Sequence, residues 1–119
     1  MKMKFFTAVA LLILQFSFAQ EPLTAEEMAD YQNKLMIDEL NLTEAQKKPV
    51  EEINLKYAIK QKALIEKEGS MFGKIGDMKK IKKEKSSELE KVLTEEQLDK
   101  YEDDLEPKIR KYMKKKMKP

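Results

Sequence analysis

The chain has 119 residues, of which 39% are charged, and it contains no cysteine, histidine or tryptophan. Its formal charge is +2, with 24 Lys and Arg against 22 Asp and Glu, and Lys2 and Lys4 account for the excess. The remainder is neutral, which argues against a general nucleic-acid binder, and disulfide staples, thiol nucleophiles and imidazole bases are excluded outright.

The first 19 residues read as an export signal. Lys2 and Lys4 form a charged start, an apolar run from Phe5 to Phe16 is broken only by Thr7 and Gln15, and Ser17-Phe18-Ala19 offers small residues for cleavage. A spanning helix needs about 20 apolar residues, more than this run has. The expectation is a cleaved signal peptide over 1–19, a periplasmic mature protein beginning near Gln20, and no lipid anchor, since no cysteine follows the run. N-terminal mass spectrometry of an envelope fraction checks it; an intact Met1 in the cytoplasm would overturn it.

One phrase then recurs three times: Leu-Thr, two residues, and Glu or Gln. It stands at Leu23-Thr24 with Glu27, at Leu42-Thr43 with Gln46, and at Leu93-Thr94 with Gln97. Each copy predicts a helix start. The threonine hydroxyl accepts from the backbone N–H three residues on, and the Glu or Gln side chain accepts from the threonine's own N–H. Met28 and Leu98 complete a hydrophobic staple in the first and third copies, whereas Lys47 cannot in the second.

A first helix is expected over 24–40, with Met28, Tyr31 and Leu35 on one face, Met36 and Leu40 extending it, and Asn41 ending it. A second runs from Thr43 to about Lys67 on a core face of Val50, Ile53, Tyr57 and Leu64. Pro49 removes one backbone bond and is expected to kink it. Leu55 and Ile59 fall on the opposite side, and a helix apolar on two sides has a second partner; a homodimer through these residues is the expectation. The chain's three glycines all lie in residues 68–77, with Met71, Phe72 and Ile75 between them. This predicts a flexible turn, its apolar residues either tucked under the helix ends or exposed as a binding patch.

A third helix is expected from Asp77 to Val92. Met78, Ile81, Leu89 and Val92 share a face with Lys85 in its middle, whose charge should snorkel to water. Lys79, Lys80, Lys82 and Lys83 make the outer side basic. After Thr94, Leu98, Tyr101 and Leu105 continue the stripe, Pro107 interrupts it, and Ile109, Tyr112, Met113 and Met117 form a last amphipathic piece among lysines. No strand-like alternation occurs. The fold expected is all-α: an extended helical hairpin with a leading N-terminal helix and a short C-terminal helix, divided as 1–19 signal peptide, 20–106 helical domain and 107–119 lysine-rich segment.

Nothing points to catalysis. Glu51, Glu52, Glu102, Asp103 and Asp104 read as solvated faces pairing with lysines. No phosphate loop, cofactor motif or soft metal ligand set is present, so no cofactor or metal is expected.

The second and third phrases, Leu42-Thr43 with Gln46 and Leu93-Thr94 with Gln97, are copies of the LTxxQ motif. Two such motifs in a small, exported, helical chain resemble the Spy/CpxP family. The resemblance covers about residues 42–105 and implies a dimeric helical hairpin that works without ATP. It also implies either suppression of aggregation of unfolded envelope proteins or inhibition of an envelope-stress sensor, with Leu42, Thr43, Gln46, Leu93, Thr94 and Gln97 as motif residues. The function expected is a non-enzymatic periplasmic chaperone-like protein that binds unfolded or stressed envelope proteins through Met71, Phe72, Ile75 and Met78 beside the lysines. The alternatives are a regulatory module for one signalling partner, or weak contact of the lysine-rich end with anionic membrane.

Overall fold

The structure, a computed structural model, describes residues 23–116; the expected export signal over 1–19 and the expected apolar contact of Met117 lie outside the described residues. Every element is helical: α1 (Ala25–Leu40), α2 (Glu44–Glu66), α3 (Met71–Glu90), α4 (Glu95–Lys100), a π turn (Tyr101–Leu105) and α5 (Glu106–Lys116). The last three run on without a break as one rod.

Cross-contacts give the topology. Asn54 bonds Asn33 and Lys62 reaches the Leu23 carbonyl, so α2 runs antiparallel to α1. Lys56 meets Glu88 and Lys60 meets Glu84, so α3 returns along α2. Lys82 pairs with Glu106 and the Lys85 ammonium lies over Tyr101, so the rod returns along α3. Gln97 bonds the Leu40 carbonyl, and Tyr112 stacks on Tyr31 with centroids 3.7 Å apart. The rod therefore also lies antiparallel to α1, closing an up-down-up-down all-α bundle.

The predicted faces supply most of the core, with Tyr31, Leu35, Ile81, Val92 and Leu98 half-buried at its margin. Met28, Met36, Val50, Leu89 and Leu105 are fully buried, with Tyr57, Tyr101, Ile109 and Met113 around them. Burial of each such side chain contributes about 1.5–3 kcal/mol. Asn41 ends α1 in the left-handed conformation, at φ 51°, which asparagine tolerates better than most residues. The helix α2 runs unbroken through Pro49.

Two expectations are corrected. Residues 71–77 are not a loop. Ser70 caps α3, its hydroxyl accepting from the Gly73 N–H at 3.2 Å. Lys74 folds back to donate to the Ile65 and Lys67 carbonyls, satisfying groups that the end of α2 leaves open. These bonds offset the roughly 1 kcal/mol that each of Gly73 and Gly76 costs inside a helix. Only Gly69, at φ 119°, has a backbone that needs glycine. The N-cap is therefore Ser70, not Asp77.

Lys85 does not snorkel. It is buried, with 3% of its surface exposed, because the rod and α1 close over both sides of it. The expected short C-terminal helix is α5, and it follows the π turn without a break. Tyr101, Leu105, Ile109 and Met113 are all buried at a strict four-residue spacing. In an α-helix each such step turns the stripe by about 40°. The π turn has more residues per turn and takes back that drift, and its wide loop lies just where the Pro107 ring would meet the carbonyl four residues earlier.

Candidate functional site

Two sets of residues singled out in the sequence lie at opposite ends of the bundle. At one end the two LTxxQ motifs meet. Thr43 N–H donates to Gln46 Oε1 at 3.0 Å, and Gln46 N–H donates to the Thr43 hydroxyl at 3.3 Å. Thr94 and Gln97 repeat this at 2.9 and 3.2 Å. Each glutamine then reaches across. Gln46 Nε2 donates to the Val92 carbonyl at 3.0 Å and to Gln97 Oε1 at 2.7 Å. Gln97 Nε2 donates to the Leu40 carbonyl at 3.0 Å and to Gln46 Oε1 at 3.2 Å. Leu42 and Leu93 are buried beneath this clasp.

The geometry explains the residue types. An amide has both a donor and an acceptor, so one side chain can cap its own helix and tie off the carbonyl that ends another. In the first phrase Glu27 can only accept, and it makes only the local capping box with Thr24. Its carboxyl is held below the usual carboxylate range by those bonds, that from the Thr24 backbone first.

At the other end stand Met71, Phe72 and Ile75, on the first turns of α3. They are 59%, 84% and 46% exposed. Of the two outcomes expected for them, the exposed patch is the one observed. Met78 lies on the same face as Met71 and Ile75 but is half-buried. Lys79, Lys80, Lys82 and Lys83 follow on the exposed sides of the helix. Leu55 and Ile59 stand out from α2, 37% and 51% exposed, away from the core as expected.

Between the two ends lies a polar cluster that sequence reasoning missed. Lys85 Nζ donates to Gln32 Oε1, and Gln32 Nε2 donates to Met113 Sδ at 3.5 Å. The Lys85 ammonium lies 5.6 Å from the Tyr101 ring centroid. Burial pushes the lysine down to about 7, opposed by the negative charge of Glu106. Glu106 in turn faces Lys82 at 3.3 Å and Arg110 at 3.8 Å. Burial also raises the Tyr101 phenol. The signal was visible as a lysine inside an apolar stripe; its partner Gln32 carried none. On the far side of α3, Tyr57 donates to Glu88, which also pairs with Lys56. Burial first, then Glu88, pushes the Tyr57 phenol up to about 12. Among the described residues no group of three carboxylates is placed to hold a metal ion.

A family model described as "Domain of unknown function (DUF4890)" matches residues 17–101. The chain belongs to the DUF4890 family. The family stretch takes in both halves of the clasp, the exposed apolar end and Lys85, and it stops at Tyr101, the first residue of the π turn. No curated protein and no solved structure matches the chain.

Proposed function

We propose that this DUF4890 protein is a non-enzymatic, periplasmic, chaperone-like binder of unfolded envelope proteins, akin to the Spy/CpxP family. The observation that carries the reading is the cluster of Met71, Phe72 and Ile75, held out in water on a helix end. Exposed apolar groups normally stay scattered; three together at a protruding end mark a contact surface. Methionine repacks against varied partners, and a bare apolar contact gains about 25 cal/mol per Å² without ATP. The paired LTxxQ motifs support the family likeness.

The purified mature protein is expected to slow aggregation of an unfolded test protein. Replacing Met71, Phe72 and Ile75 with serine should remove most of that protection and leave the helical circular dichroism unchanged. A triple variant that protects as well as the parent would move the contact surface elsewhere. A parent that protects nothing would favour the regulatory module.

Leu55 and Ile59 are assigned in the same reading to a homodimer contact. The mature protein should sediment at twice its monomer mass at micromolar concentration, and Leu55→Lys should return it to monomer. Identical sedimentation of parent and variant would refute that contact.

A further inference from the structure

The neutral composition conceals a charge separation that appears only in the folded topology. The bundle divides in two between the Asn33–Asn54 and Lys60–Glu84 contacts on one side and the Lys82–Glu106 contact on the other. The clasp half, residues 33–60 and 84–105, holds 14 Asp and Glu against 8 Lys and Arg. The other half, residues 25–32, 61–83 and 106–116, holds 13 Lys and Arg against 7 Asp and Glu. The halves thus differ by twelve charges, −6 against +6. The antiparallel course of α3 and the rod is the cause, since it brings the lysine-rich start of α3 and the lysine-rich end of α5 to one end. Lys108, Arg110, Lys111, Lys114, Lys115 and Lys116 are all exposed there. Met71, Phe72 and Ile75 protrude from that same end.

We infer that the basic end docks this protein on an anionic lipid surface. Lysines and Arg110 would face the headgroup phosphates, and Phe72 would enter the boundary between headgroups and acyl chains. Apolar side chains amid cations on one end are the pattern of an interfacial anchor. The acidic half is repelled from the same surface, so the charge separation fixes which way the molecule stands. An acidic unfolded polypeptide would use the cations equally well but gives no reason for the opposite end to be acidic; the lipid surface accounts for both ends. This inference does not depend on the client-binding reading.

The mature protein is to be sedimented with vesicles of phosphatidylcholine containing phosphatidylglycerol, and with vesicles of phosphatidylcholine alone. Binding is expected to the first only. It should fall about tenfold or more in high salt, which screens exposed charges beyond a few ångström. Lys111→Glu, Lys114→Glu and Lys115→Glu together should cause a similar fall with helicity retained, whereas Glu96→Lys, exposed at the clasp end, should not. The Phe72→Trp variant, whose indole is the only one in the chain, gives a second readout that does not depend on the triple variant folding. Its emission should shift to the blue on anionic vesicles. Equal binding to both vesicles, an unmoved indole emission, or binding unchanged by the triple reversal would overturn the proposal. So would capture of poly-glutamate without capture of vesicles. Protection of an unfolded test protein measured without lipid reads the client proposal separately, because that proposal rests on Met71, Phe72 and Ile75 and not on α5.

Discussion

Lys85→Met should make the protein more stable, not less. A buried ammonium with one neutral acceptor loses more hydration than it regains, and replacing such a group by an apolar one of similar length stabilises by about 1–3 kcal/mol. The melting temperature should rise by at least about 4 °C. Gln32 Oε1 then loses its donor, at a cost of about 1 kcal/mol, so Lys85→Met with Gln32→Leu should be more stable again.

The pH dependence carries the sharper test. Unfolded, Lys85 titrates at its ordinary 10.5; folded, burial holds it at about 7. Between those values the unfolded chain binds a proton that the folded chain lacks, so stability rises with pH across the window. The gain is lost as pH falls through about 7, below which both states are charged and the penalty is constant. The buried tyrosines act in the opposite direction, but only above about 10: Tyr57 and Tyr101 keep their protons in the fold after the unfolded chain has lost them. Denaturant melts from pH 7 to 9.5 should show an upward slope in the parent and a much flatter one in Lys85→Met. Equal slopes would mean that the folded lysine is not held neutral.

The second large effect is expected at the clasp. Gln97→Ala removes the acceptor for the Thr94 N–H, the donor to the Leu40 carbonyl and both bonds to Gln46 in one step. Buried or half-buried groups left unpaired cost about 1–3 kcal/mol each, and a total loss of about 3 kcal/mol is expected from urea unfolding. Thr43→Ala and Thr94→Ala should each cost about 1 kcal/mol as lost caps. Additivity would hold for distant sites. The two motifs touch, so Gln46→Ala with Gln97→Ala should cost less than the two single losses together, a coupling of about 0.5–3 kcal/mol. Strict additivity would mean that the two amides do not bond across the interface.

What the sequence disclosed follows from how local each cause is. The three caps were legible because a capping box is complete within four residues. So were the core faces of α1 and α2 and the end at Asn41, which depend on periodicity and backbone preference. The pairing of Gln46 with Gln97 depends on residues 51 positions apart, and nothing within either phrase announces it. The start of α3 is not legible because glycine reads locally as a breaker, while the compensation comes from Ser70 and from Lys74 reaching back across the turn. The apolar stripe puts Lys85 on the right face but does not show that it is enclosed. Its burial depends on α1 and the rod covering it together, a tertiary fact. The exposed end was identified by composition, though as a flexible turn and not as the start of a helix.

The π turn at Tyr101–Leu105 also bears on how this chain accommodates changes in length. A regular helix places apolar residues at alternating three- and four-residue intervals; here three successive intervals of four carry the stripe through to Met113. One residue more than an α-helix needs has been taken up as a local bulge, and everything beyond it keeps its orientation. A chain one residue shorter between Tyr101 and Leu105 would close the bulge into ordinary α-helix with Ile109 and Met113 still facing inward. Insertion and deletion there amount to a change of pitch over a single turn. Elsewhere in the bundle the same change would rotate the rest of the helix by about 100° and bring charged side chains round into the core.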